Sequence, residues 1–193
     1  MYILLWFIMQ LLVKMTPTAK PQRRFFHTAT VIRNKLYVLG STDPDNFRTS
    51  LQFFSVDVSV PFTTQGLLWN NLTSINTVPS HLSAAAISGG PNNDTLFLFG
   101  SMGFYSFDTN NNLWSIPKVT GEIDIRRDSL TAIPYDGKMY LFGGLFNNST
   151  FNDMLILDTI SLEFVRTSND APIPRRNYGA VLLPNKQILY LGK

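Results

Sequence analysis

An apolar strand that ends in glycine occurs four times in this chain: Lys35-Leu-Tyr-Val-Leu-Gly40, Thr95-Leu-Phe-Leu-Phe-Gly100, Lys138-Met-Tyr-Leu-Phe-Gly143 and Gln187-Ile-Leu-Tyr-Leu-Gly192. From Gly40 to Gly100, Gly143 and Gly192 the intervals are 60, 43 and 49 residues. Repeats of roughly 40 to 50 residues mark propeller blades, whereas leucine-rich, ankyrin and tetratricopeptide units are shorter. A chain with this period is expected to build its core by stacking one sheet against the next.

A second apolar run precedes each of these strands, at residues 27–32, 83–87, 130–133 and 178–183. The connections are Arg33-Asn34, Pro91-Asn92-Asn93-Asp94, Tyr135-Asp136-Gly137 and Pro184-Asn185. Asn, Asp and Gly tolerate the positive φ of tight hairpin turns, so each pair of runs reads as a hairpin. A third run follows at residues 52–58, 103–107 and 154–157, and a fourth is centred on Trp69, Trp114 or Phe164. Four strands make one blade. After residue 20 almost no helix is expected, the four glycine-ended strands should be among the most buried, and Phe97, Phe99, Tyr140 and Phe142 should lie in cores between blades.

Asp108-Thr109 precedes Trp114 by six residues, and Asp158-Thr159 precedes Phe164 by the same six. A carboxylate at that place can accept backbone N–H groups two residues on and close the turn between third and fourth strands. The aromatic beyond it then fills the space between blades. In the first repeat Asp57 precedes Trp69 by twelve, so residues 59–66, with Pro61 and Gly66, read as a lengthened loop. Loops of that kind carry function.

These marks resemble the kelch family. Its blades carry an Arg leading into the first strand, a Gly-Gly pair after the second, a hydrophobic-Asp before the turn and a Trp on the fourth. Arg23-Arg24, Arg126-Arg127 and Arg175-Arg176 fill the leading position in three repeats, and Gly143-Gly144 supplies the diglycine. Gly40-Ser41 and Gly100-Ser101 depart from it, and repeat two has Pro79-Ser80-His81 in place of the arginines. The resemblance covers residues 21–193. It implies an all-β fold, a partial kelch-type β-propeller of three complete four-stranded blades plus half a fourth, with repeats at about 21–78, 79–124, 125–173 and 174–193. Propellers close on about four to eight blades, so the chain reads as the N-terminal part of a larger protein, from which any membrane anchor would come in further C-terminal sequence.

The first thirteen residues, Met1 to Val13, are apolar except for Gln10. A spanning helix needs about 20 apolar residues and a signal-peptide core about 7 to 15, so residues 1–19 form a candidate signal peptide. The alternative is a buried strand. Asn71, Asn93, Asn147 and Asn148 each begin an Asn-X-Ser/Thr sequon in an expected loop or strand edge,. Together these features point to a secreted or cell-surface glycoprotein, with a cytoplasmic location as the alternative.

Little in the composition suggests chemistry. Sixteen basic and 13 acidic residues give a net charge of +3 and a pI near 9.2, but no Lys/Arg block of the kind nucleic acid requires, so no nucleic-acid partner is expected. Zero Cys excludes disulfides and thiolate sites, and two His without clustered carboxylates offer little to a metal,. The paired arginines could ring one face as an anion site, or bond carbonyls and carboxylates as structural groups. His27 and His81 could converge at the start of equivalent strands, or cap them. Galactose oxidases have a similar propeller whose copper is held by Tyr and His beside a Cys cross-link, and this chain has no counterparts. The acidic and His residues of iron-binding kelch specifier proteins are absent too. The reading is a non-catalytic scaffold without cofactor that binds a protein or glycan through residues 59–66 or 146–152; the alternative is a piece of a galactose oxidase-like copper enzyme lacking its catalytic residues.

Overall fold

The computed structural model describes residues 20–121, 127–167 and 173–192. Residues 1–19 and Arg126 lie outside them, and with them the signal-peptide reading. The first sheet contains β1 (Thr28–Ile32), β2 (Lys35–Leu39), β3 (Phe53–Asp57) and β4 (Asn70–Asn71), paired in sequence order. The second contains β5 (Ala85–Gly89), β6 (Thr95–Gly100), β7 (Gly103–Asp108) and β8 (Leu113–Ser115), ordered the same way. After β9 (Thr120–Gly121) come β10 (Ala132–Tyr135), β11 (Lys138–Phe142), a small hairpin of β12 (Leu145–Phe146) and β13 (Ser149–Thr150), β14 (Met154–Asp158) and β15 (Glu163–Thr167). The fourth repeat contributes β16 (Gly179–Leu182) and β17 (Ile188–Leu191). All described pairings within a repeat are antiparallel, and the single helical element among the described residues is a 3-10 turn at Thr73–Ile75.

Side chains alternate across each central strand, and the alternation sets which neighbour each one meets. Leu96 and Leu98 join Tyr37, Leu39 and Phe53 of the first blade in one core, whereas Phe97 and Phe99 join Met139 and Leu141 of the third in another. Phe97, Phe99 and Phe142 are buried as expected, while Tyr140 is half-buried because it faces a blade with only two described strands. The outer-strand aromatics point back to the preceding blade. Trp114 lies 5.4 Å from the Phe53 ring, and Phe164 lies 5.5 Å from Phe104. Trp69 occupies the same place in the first blade, where it meets Phe54 at 6.3 Å and stays half-buried, since no described blade precedes it.

Two features differ from the expectation. The third sheet has five strands, because β9, on the connection from the second blade, pairs in parallel with the outer edge of β15. Gly121 makes this possible: its φ is +90°, and a Cβ there would stand 2.0 Å from the Phe164 carbonyl oxygen. We expect Gly121→Ala to cost about 1 to 3 kcal/mol, seen as a lower urea midpoint. Gly179→Ala, whose Cβ would meet its nearest atom at 3.9 Å, should leave the midpoint within about 0.5 kcal/mol of wild type. Second, the fourth glycine-ended strand is not among the most buried. Leu189 and Leu191 of β17 are exposed, while Tyr190 packs on Phe142 and Tyr178. Tyr178 ties this repeat to the third: its hydroxyl donates to the Phe142 carbonyl, and burial pushes its pKa up to about 12.

Candidate functional site

Because successive strands alternate in direction, each blade presents two kinds of connection at opposite ends. At one end lie the tight turns after the first and third strands. At the other lie the loops after the second strand and the connections between blades. The two segments expected to meet a ligand are therefore separated: residues 59–66 belong to the turn end, and residues 146–152 to the loop end.

The turn end is built by the Asp residues. Asp57 accepts the Ser59 amide at 2.8 Å, Asp108 accepts Asn110 and Asn111, and Asp158 accepts Ile160 and Ser161. The Asn111 side chain with the Asn110 and Asn111 amides holds the Asp108 carboxyl below its usual range, and the Ser161 and Ile160 amides do the same for Asp158. A lowered folded-state pKa stabilises the fold above the unfolded value of 3.8 and ceases to do so as pH falls through the folded value,. Urea midpoints should accordingly drop below about pH 4, and D108N/D158N should flatten that drop. The adjacent threonines add something the sequence reading missed. Thr109 Oγ1 donates to the Asp94 carbonyl and Thr159 Oγ1 to that of Gly137, each at 2.6 Å, locking one turn of the blade to the other. Thr159 Oγ1 also accepts the Gly90 amide of the preceding blade. Clefts of about 490 and 320 Å³ lie between successive blades at this end, lined by these turns.

At the loop end Arg24, Arg127 and Arg175 serve as structural groups. Arg127 is 1% exposed, donates to both Asp153 oxygens at 2.5 and 2.8 Å and to the Gly143 carbonyl at 3.3 Å, and stacks 3.9 Å over the Phe151 ring. Arg24 repeats the pattern with the Gln52 side chain, the Gly40 carbonyl at 3.5 Å and the Phe54 ring at 5.5 Å. Arg175 donates to the Gly192 carbonyl. Each guanidinium thus clamps the glycine that ends its own blade's second strand, and so fixes the base of the loop that follows. Burial alone would raise the Asp153 carboxyl, but the Arg127 hydrogen bonds and charge, with Arg166, outweigh it and hold the group low.

Two residues beyond Arg24, Arg127 and Arg175 stand Phe26, Ser129 and Asn177, with φ of 58°, 61° and 52°. Ser83, with φ of 55°, takes that place in the second blade. Their backbones run hand to hand: the Ser83 amide donates to Phe26 O, Ser129 to Ser83 O and Asn177 to Ser129 O, at 2.8 to 2.9 Å. This chain of bonds links the inner ends of the four repeats. Non-glycine residues seldom adopt positive φ, and nothing in their composition announces it; the constant offset from the leading residue is the signal that could have found them. The same offset places His81, not His27, in register with the arginines. His27 is exposed, and the two histidines are not equivalent.

Above this ring the loop end carries apolar surface. Phe26 is 52% exposed and Phe47 74%, with Phe25 edge-on to both, and Leu82 is 37% exposed. Arg48 and Arg176 are exposed on the same end. Phe47 projects from a loop held by backbone bonds between Asp43 and Arg48 and by the Asp43 carboxylate, which accepts the Asp45 amide. Asn147 and Asn148 are exposed on the β12–β13 hairpin, Asn71 on β4 and Asn93 in a turn. Among the described residues no three His, Asp or Glu side chains gather as a metal site.

The profile of the KLHDC2/KLHL20/DRC7 Kelch-repeats domain matches residues 26–193. Kelch domain-containing protein 3 of Rattus norvegicus is 27% identical over 192 residues, covering 89% of this chain and 49% of the relative. Kelch repeat-containing protein 2 of Saccharomyces cerevisiae is 30% identical over 46% of this chain and 12% of its own length. Host cell factor 2 of Homo sapiens is 30% identical over 50% of this chain and 16% of its own. The chain spans about half the length of the first of these relatives. With the repeated Arg–Gly clamps, the capped Asp turns and the aromatics between blades all in place, the chain belongs to the kelch-repeat family.

Proposed function

We propose that this chain is a non-catalytic binding scaffold that docks a protein partner through its loop end, at the patch formed by Phe26, Phe47 and Leu82. The observation that carries this reading is Phe47, 74% exposed at the tip of a tightly bonded loop. Clustered exposed aromatics on a rigid frame supply large contact area at low entropic cost, which is how interface anchors work. The arginine clamps beneath preorganise the loops, so little ordering is lost on binding. The test is a photo-crosslinking amino acid placed at Phe47 or, at the turn end, at Phe62, in the full chain in cells. A discrete protein adduct from position 47 and none from 62 supports the reading; the reverse overturns it.

The location proposed is secretory, resting on the apolar residues 1–13 and on the exposure of all four sequon asparagines. Glycosidase treatment should lower the apparent mass of the expressed protein. An unchanged mass favours the cytoplasmic alternative, and a glycan partner in place of a protein would appear as loop-end binding without a protein adduct.

A further inference from the structure

His81 stands where the other repeats place an arginine, and its surroundings are unlike theirs. Its backbone carbonyl accepts the Ser41 amide of the first blade at 3.1 Å, as the Arg175 carbonyl accepts Gly144 at 2.9 Å. Its side chain, however, bonds the Pro79 carbonyl and not that of a glycine. The ring lies instead on Gly40 of the preceding blade, where a Cβ would stand 2.4 Å from Nε2. Only 5% of the residue is exposed; Nδ1 is 2.9 Å from the Pro79 carbonyl, and Nε2 is buried without a hydrogen-bond partner. A carbonyl only accepts, so the Nδ1 contact places a proton on Nδ1, and Nε2 faces nothing to which it could donate,.

We propose that His81 is a pH-gated lock on the loop-end seam between the first two blades, closed while the imidazole is neutral and released when Nε2 takes a proton. A proton on Nε2 would put a charge and an unmet donor into a closed site against Gly40, and unpaired buried charge is strongly disfavoured. The groups facing the ring do not rescue it. The Pro79 carbonyl and, from the third blade, Asp128 favour the charged form, but burial outweighs both. From the first blade the Arg24 guanidinium reaches the carbonyl of the same Gly40, and it also disfavours the charged form of His27. Burial accordingly depresses the imidazole's pKa. The sign follows: for a His with a lowered folded value, the closed seam is favoured above the ordinary value of 6.5 and weakens as pH falls below it,. The other three repeats carry guanidiniums at this place, which keep their charge at every physiological pH, so among the described leading residues His81 is the one that titrates. Its opening would free residues 41–50, which carry Phe47; that consequence rests on the docking reading, whereas the lock itself does not.

The test is amide hydrogen exchange of the full chain between pH 7.5 and 5, corrected for intrinsic rates. Protection at Ser41 should fall by up to about tenfold per pH unit below 6.5, while Gly144, at the equivalent place under Arg175, stays level. His27→Gln should keep the effect and His81→Phe should abolish it. Should His81→Phe not fold, the imidazole resonances of the unsubstituted protein decide: an Nδ1–H tautomer titrating below the ordinary value supports the lock. Titration at the ordinary value, an Nε2–H tautomer, or equal pH response at Ser41 and Gly144 overturns it. A seam that opens while Phe47 plays no part in binding would leave the lock standing and refute the docking reading alone.

Discussion

Replacing Arg127 with Met is expected to destabilise the protein by about 3 to 5 kcal/mol, because it leaves the Asp153 carboxylate buried without its cation. Asp153 is 6% exposed, and Arg127 supplies two of its hydrogen bonds while also capping Gly143 and covering Phe151. Arg166 at 3.4 Å is a weaker partner. The double change R127M/D153L should cost less than R127M alone, since removing both members of a buried pair removes the stranded charge as well. Urea titration of the three proteins measures this. A cost for R127M below about 1 kcal/mol would mean that the guanidinium is not what holds the 143–153 loop.

Trp114→Ala is the second large effect, at about 3 to 5 kcal/mol on the scale of aromatic truncations in cores. The ring is 7% exposed and packs at 5.4 Å on Phe53 and 5.0 Å on Phe107, so its loss opens a void between the first two blades. Trp114→Phe should cost distinctly less. It keeps a ring in the seam and removes an indole N–H that has no partner in its buried site. If the two substitutions cost the same, the contribution of Trp114 lies in that N–H and not in packing between blades.

The blades were legible in the chain because their marks are local. Alternation in β6 and β11, the Asp-to-aromatic spacing and the Asp136-Gly137 turn each follow from nearest neighbours along the sequence. Asp136 and Gly137 both take positive φ, as a tight hairpin demands,. At the last turn the positive φ falls on Lys186 and not on Asn185, whose side chain instead bonds Gln187. What escaped the sequence depends on which strands become neighbours. The pairing of β9 with β15 rests on one close approach by Gly121, and the separation of residues 59–66 from 146–152 follows from strand direction alone. That His81 stands in the arginines' place was legible from Pro79-Ser80-His81, but the seat of its ring on Gly40 was not, because that glycine belongs to another blade. The arginines were ambiguous because their partners lie elsewhere in the chain: only the fold shows that Arg24, Arg127 and Arg175 spend their hydrogen bonds inward, on the glycine carbonyls and on Gln52 and Asp153.

The most direct measurement is the dissociation constant of the partner captured from position 47, taken against the unsubstituted chain, Phe47→Asp and Phe62→Asp. The loop-end account predicts weakening of at least about tenfold for Phe47→Asp, as for a central interface anchor, and no change for Phe62→Asp. Undiminished affinity of Phe47→Asp together with loss for Phe62→Asp would contradict it and move the docking face to the turn end.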